Sequence, residues 1–196
     1  MPYPPPMKRI LSIVLVTSAV GIAYGADPAP KPPRGWSLYE EPAPGQYEIS
    51  TDRTVSRSGK ASGKLRSLQA KAESVGALGQ EFSRVRAYRG QRVQVSAYVR
   101  TEAVANEVAL AVRFDRAGLE PIIYNDLDAL TQKGTTAWIY HRLVVDIPYE
   151  VTHIGFALEL HGTGTAWIDE VRLQVVDKST PLTDGTTDPT NLELEE

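Results

Sequence analysis

The sequence predicts an all-β fold, an antiparallel jelly-roll β-sandwich of about eight strands. Three observations carry this. Apolar residues recur with period two in one segment after another. Turn-forming strings (SGKASG, YRGQ, DRAG and GTGT) separate those segments. Helical periodicity is nearly absent; the best case, DLDALTQ at 126–132, is worth a single turn.

The strands follow in order. Shorter candidates lie at 46–50, 61–67 and 76–82. RVQVSAYVRT at 92–101 sets Val93, Val95, Ala97 and Val99 on one face and Gln94, Ser96, Tyr98 and Arg100 on the other. EVALAVRFD at 107–115 points Val108, Leu110, Val112 and Phe114 inward. YHRLVVDIP at 140–148 alternates through His141, Leu143, Val145 and Ile147. HIGFALELHG at 153–162 buries Ile154, Phe156, Leu158 and Leu160. The last strand lies in GTGTAWIDEVRL at 162–173. Strict alternation there puts Trp167, Asp169, Val171 and Leu173 on the buried face, which leaves a carboxylate between a Trp and a Val.

The flanks are different. Met7-Lys8-Arg9, a mostly apolar stretch to Ala23 and the small residues of Ala23-Tyr24-Gly25 read as a signal peptide over 1–25, cleaved before Ala26. The protein is then expected in the periplasm or outside the cell, with no stable membrane anchor after cleavage. A Pro-rich leader covers 26–35, the sandwich 36–177 and a polar linker 178–190. NLELEE closes the chain at 191–196.

Composition removes several functions. The 196 residues include no cysteine, so a thiol nucleophile, a disulfide and a lipoprotein anchor are excluded. A formal charge of −3 with no basic stripe speaks against a nucleic-acid partner, and none is expected. Three histidines in three separate places give no zinc spacing, and no Gly-x-Ser-x-Gly elbow is present. Glu159 with Asp115 or Glu81 is the best available carboxylate pair for glycoside hydrolysis, and nothing in the sequence singles it out.

One face of the sheet suggests a binding groove. Ser96, Ala109, Ala111, Gly155 and Ala157 leave room, and Tyr98, Arg100, Arg113, Glu159 and His161 stand among them, with Gln80 from a neighbouring strand. The plain alternative is a solvated sheet face on which Arg113 and Glu159 pair across strands.

The ordered strings DRTVSRSGKASGKLRS, GALGQEF, YRGQRVQVSAYVRTE, GTTAWIYHRLVVDIP and HIGFALELHGTGTAWIDEVRLQVV resemble a family of bacterial jelly-roll domains. These are similar to carbohydrate-binding modules of the galactose-binding-like fold, found in secreted proteins and attached to some transcriptional regulators. The resemblance covers 36–176. It implies a carbohydrate or other small polar ligand on the concave sheet, with no catalysis. It also implies one structural calcium at the sandwich edge, held here by Asp52, Asp169 and a carboxylate of NLELEE, Glu193 or Glu195. Without an ion, Asp169 would instead accept hydrogen bonds from loop amides. Family domains open with an acidic strand ahead of the first Trp. NLELEE is expected to take that place, within the chain or by exchange with a second copy; the alternative is an acidic tail. The competing function is a structural or protein-interaction domain of the cell envelope.

Overall fold

The computed structural model describes residues 31–42, 44–71, 74–126 and 132–183. Among the described residues there are nine strands and no helix: β1 Ser37–Glu41, β2 Tyr47–Asp52, β3 Ser62–Ser67, β4 Val75–Phe82, β5 Arg92–Arg116, β6 Leu119–Asn125, β7 Gln132–Asp146, β8 Val151–His161 and β9 Thr165–Val176. Every pairing is antiparallel. The leader to residue 30, most of DLDALTQ and the terminal NLELEE lie outside the described residues.

The runs at 92–101 and 107–115 are not two strands but one, the 25-residue β5. Held straight, it would span roughly 80 Å, about twice the width of a domain of this size. It therefore turns a corner. Between Thr101 and Val108 the buried positions switch from every second residue to Thr101, Val104 and Val108. The register against β7 jumps there repeatedly, and Ala103 takes a φ of 50°. Val104 at the corner packs on Gly164 of the β8–β9 turn. A Cβ on Gly164 would sit 2.6 Å from the Val104 Cα, so only glycine fits.

The corner divides β5 between two layers. Its first half lies between β7 and β9, giving the order β2-β3-β9-β5-β7. Its second half lies between β8 and β6, giving β1-β4-β8-β5-β6. Val93, Val95, Ala97 and Val99 face Val108, Leu110, Val112 and Phe114 across the core, all at 1% exposure or less. Each fully buried Val, Leu or Phe contributes roughly 1.5–3 kcal/mol.

On β9 the expected faces are wrong for half the strand. Ser96 pairs with Arg172 but Tyr98 pairs with Asp169, so β9 spends three residues where β5 spends two. The extra residue is a bulge, and Glu170 adopts a φ of 52° within it. The bulge reverses the phase. Ala166 and Ile168 point into the core before it, and Val171 and Leu173 pack against the core after it. Trp167 and Asp169 point outward.

One polar group joins the layers inside the core. His141 of β7, fully buried, lies between Asp126, just past β6, and Gln132 at the start of β7. His141 Nδ1 is 2.7 Å from Asp126 Oδ2, and Nε2 is 2.6 Å from Gln132 Oε1. The Gln132 amide nitrogen donates to the Val99 carbonyl at 3.2 Å and to the Thr136 hydroxyl, which fixes its oxygen toward the imidazole. His141 Nε2 must therefore carry a hydrogen. Nδ1 faces Asp126, whose other oxygen accepts the Leu110 amide at 2.7 Å. Every polar atom of the group is satisfied, which is what burial demands.

Candidate binding cleft

The outer face of the second layer is concave. The register lays it out in rows. Tyr39, Ala77, Glu159 and Ala109 stand side by side on β1, β4, β8 and β5. The next row is Ser37, Gly79, Ala157, Ala111 and Asn125, and the one beyond is Glu81, Gly155, Arg113 and Ile123. His161 lies at the other end, beside Val75 and Glu107. Alanine and glycine thus form the floor, and larger side chains rise around it. The cleft holds about 530 Å³, within the range of small-ligand sites. The floor is tight where it must be flat: a Cβ on Gly79 would lie 2.8 Å from the Ala157 Cβ.

Arg113, Glu159 and His161 take their expected places in this cleft. Arg113 does not pair with Glu159. Its Nε donates to Asp115 Oδ1 at 2.8 Å, and His161 Nε2 lies 3.2 Å from Glu159 Oε2. That hydrogen bond raises the His161 imidazole above its ordinary value against the opposing effect of partial burial, and the charges of Glu159 and Glu107 add to it. Gln80 borders the cleft, but its register with Phe156 and Val112 turns its side chain to the inward side, near Gly35.

Tyr98 and Arg100 are elsewhere, on the outer face of the first layer, because β5 changes layers between them and Arg113. Tyr98 is also covered. The guanidinium of Arg57, from the β2–β3 loop, stacks on its ring at 3.4 Å from the centroid, and Arg57 Nη1 pairs with Glu170 at 2.5 Å. Arg100 and Lys64 flank the Trp167 ring, each 5.6 Å from the centroid.

Two aromatic residues border the cleft: Phe156, which packs against the core, and Tyr39, which is 41% exposed. Burial raises its hydroxyl above the ordinary value, the charge of Glu81 raises it further, and a hydrogen bond with Ser37 works the other way. The signal for it was the alternating SLYEE directly after Trp36, now β1.

Asp52 and Asp169 both hold the β2–β3 loop. Asp169 Oδ2 accepts the amides of Arg57 and Ser58 at 2.8 and 3.1 Å, and Oδ1 accepts the amide of Glu170. Asp52 Oδ1 accepts the Thr54 amide and hydroxyl and the Val55 amide, and Oδ2 accepts the Trp167 indole at 2.9 Å. Burial alone would raise the Asp52 carboxyl, but these hydrogen bonds outweigh it and hold it at about 2. The oxygens are thus taken up by N–H and O–H donors, and among the described residues no three acidic or histidine side chains converge. Among the described residues this donor set falls short of calcium, which takes six to eight oxygens. Glu193 and Glu195 lie outside the described residues.

No family model matches the chain. A xylan-binding domain of a carbohydrate-binding module, CBM22-1 of Paenibacillus barcinonensis Xyn10C, superimposes on 73% of this chain and 86% of its own, with a TM-score of 0.56 and 14% identity. The likeness is one of fold. It places the chain among jelly-roll β-sandwiches. The enzymatically active domain of bacteriophage CBA120 tailspike protein 4 aligns over 73% of this chain but 20% of that chain, with a TM-score of 0.54 and 15% identity. By sequence, an uncharacterized HTH-type transcriptional regulator of Bacillus subtilis, YbfP, is 30% identical over 171 residues. That match takes in 83% of this chain and spans 57% of the relative's length.

Proposed function

We propose that the protein is an exported, non-catalytic binding module that holds a carbohydrate in the cleft of the second layer. The observation that carries this is the trough itself: a floor of alanine and glycine about 530 Å³ in capacity, bordered by Tyr39, Glu81, Arg113, Glu159 and His161. Sugars bind to such surfaces by laying a ring on an aromatic face and meeting fixed polar groups around it. The shared fold with a xylan-binding domain agrees with this reading. Export rests on the basic, apolar and small-residue order of the first 25 residues.

The engagement of the carboxylates argues against hydrolysis. Asp115 accepts from Arg113 and pairs in register with His153, six residues from Glu159 on β8, so those two backbones lie about 20 Å apart. That is too far for their carboxyl groups to come within the roughly 5–10 Å of a hydrolytic pair. Glu159 is also engaged by His161.

A glycan array with the purified protein tests the reading, followed by calorimetry on the best saccharide. Tyr39→Ala is expected to weaken that saccharide about tenfold, or 1.4 kcal/mol, with the melting temperature held. An array with no bound glycan overturns the reading.

A further inference from the structure

Charge is unevenly distributed around the cleft. Five carboxylates line it, against Arg113 and His161. Glu40 is turned away and spends both oxygens on the amides of Gly45, Gln46 and Tyr47 at 2.7–2.8 Å. That leaves Glu41, Glu81, Asp115 and Glu159. Both cations are already held by carboxylates two positions away on their own strands, Arg113 by Asp115 and His161 by Glu159. Each of these two carboxylates is in turn matched by its cation, which leaves Glu41 and Glu81 as the unmatched charges of the cleft. Glu81 makes no hydrogen bond or ion pair among the described residues, and its charge is felt by the Tyr39 hydroxyl that borders the same cleft. The floor between Glu81 and Glu159 is alanine and glycine and offers Glu81 no side-chain donor.

We infer that the cleft sorts saccharides by charge: it favours amine-bearing sugars, accepts neutral ones and turns away uronic acids, with Glu81 the main determinant of the preference. This rests on the carbohydrate reading above. An ammonium laid along the floor meets Glu81 at one end or Glu159 at the other. A sugar carboxylate meets the unmatched charge of Glu81, and a concave low-dielectric wall strengthens such effects relative to open water.

The test is calorimetry on the full chain with three oligosaccharides of equal length: a glucosamine oligomer, its N-acetylated counterpart and a galacturonate oligomer. At low salt the expected order is amine, then neutral, then uronate, with at least about a tenfold span. The span should narrow in roughly 0.3 M salt, where exposed charges are screened, and again in Glu81→Gln and Glu159→Gln. Galacturonate binding as tightly as the glucosamine oligomer overturns the charge preference and leaves the carbohydrate reading standing. So does a span that neither salt nor the two substitutions reduce. Binding of none of the three overturns the charge preference, and the carbohydrate reading falls with it only if the glycan array is empty as well.

Discussion

The two outer faces of this sandwich share a strand and differ in what became of it. Each half of β5 points polar side chains outward, Tyr98 and Arg100 in the first layer, Arg113 and Asp115 in the second. On the first face the β2–β3 loop folds back, with Arg57 on Tyr98 and its amide on Asp169, and closes the surface. On the second face the neighbouring strands present Ala77, Gly79, Gly155 and Ala157, and the surface stays open. Alternation along one strand tells inside from outside. Whether an outside becomes a cleft is decided by the size of residues on adjacent strands and by where loops come to rest.

The largest effect is expected where both faces depend on one group. Asp126→Ala strips His141 and the Leu110 amide of their partner in the core and should cost about 3–5 kcal/mol. Chemical denaturation would measure it. Because the Asp126–His141 contact ties the layers together, a loss under about 1 kcal/mol would show that the faces are supported independently.

A smaller effect separates the faces directly. Tyr98→Ala removes the stacking of Arg57 and should cost about 1 kcal/mol of stability, with saccharide affinity untouched. Tyr39→Ala should do the reverse. If Tyr98→Ala weakened binding as much as Tyr39→Ala, the division between a closed and an open face would fail.

The smallest effect is in pH dependence, and its sign differs between the faces. Asp52, on the closed side, is held at about 2 against an ordinary 3.8. Its contribution is present above pH 3.8 and is lost as pH falls toward 2. His161, on the open side, is raised above 6.5. Its contribution is full below pH 6.5 and is lost as pH rises through the folded value. Melting curves of Asp52→Asn should therefore flatten the acid limb, and those of His161→Gln the limb above neutrality. Identical pH profiles for the two variants and the parent chain would remove both contributions.

Most of the strands were legible because a buried face forces period two. β1 was hidden because SLYEE follows a Pro-rich leader and is only 5 residues long. β6 was hidden because its residues are mostly exposed or half-exposed, so no buried stripe marks LEPIIYN. The continuity of β5 had a signal that alternation alone does not weigh: EAVAN at 102–106 carries neither Gly nor Pro, unlike SGKASG, YRGQ, DRAG and GTGT. The β9 bulge left none. AWIDEV is apolar on both of its faces, so either phase satisfies the pattern, and the pairing with β5 chooses between them. The candidate site divided along the same lines. Arg113, Glu159 and His161 were found because they share one layer with the small residues. Tyr98 and Arg100 were misplaced because two strands were read where there is one.

That single strand also governs how the protein comes apart. A sandwich built from two self-contained sheets has the option of shedding one and keeping the other. Here β5 is an inner strand of both, so withdrawing it detaches β7 from one sheet and β6 from the other. The closed face and the open cleft are melted by the same event. Local opening at the cleft is therefore confined to rim side chains, while the floor shares the cooperativity of the whole domain.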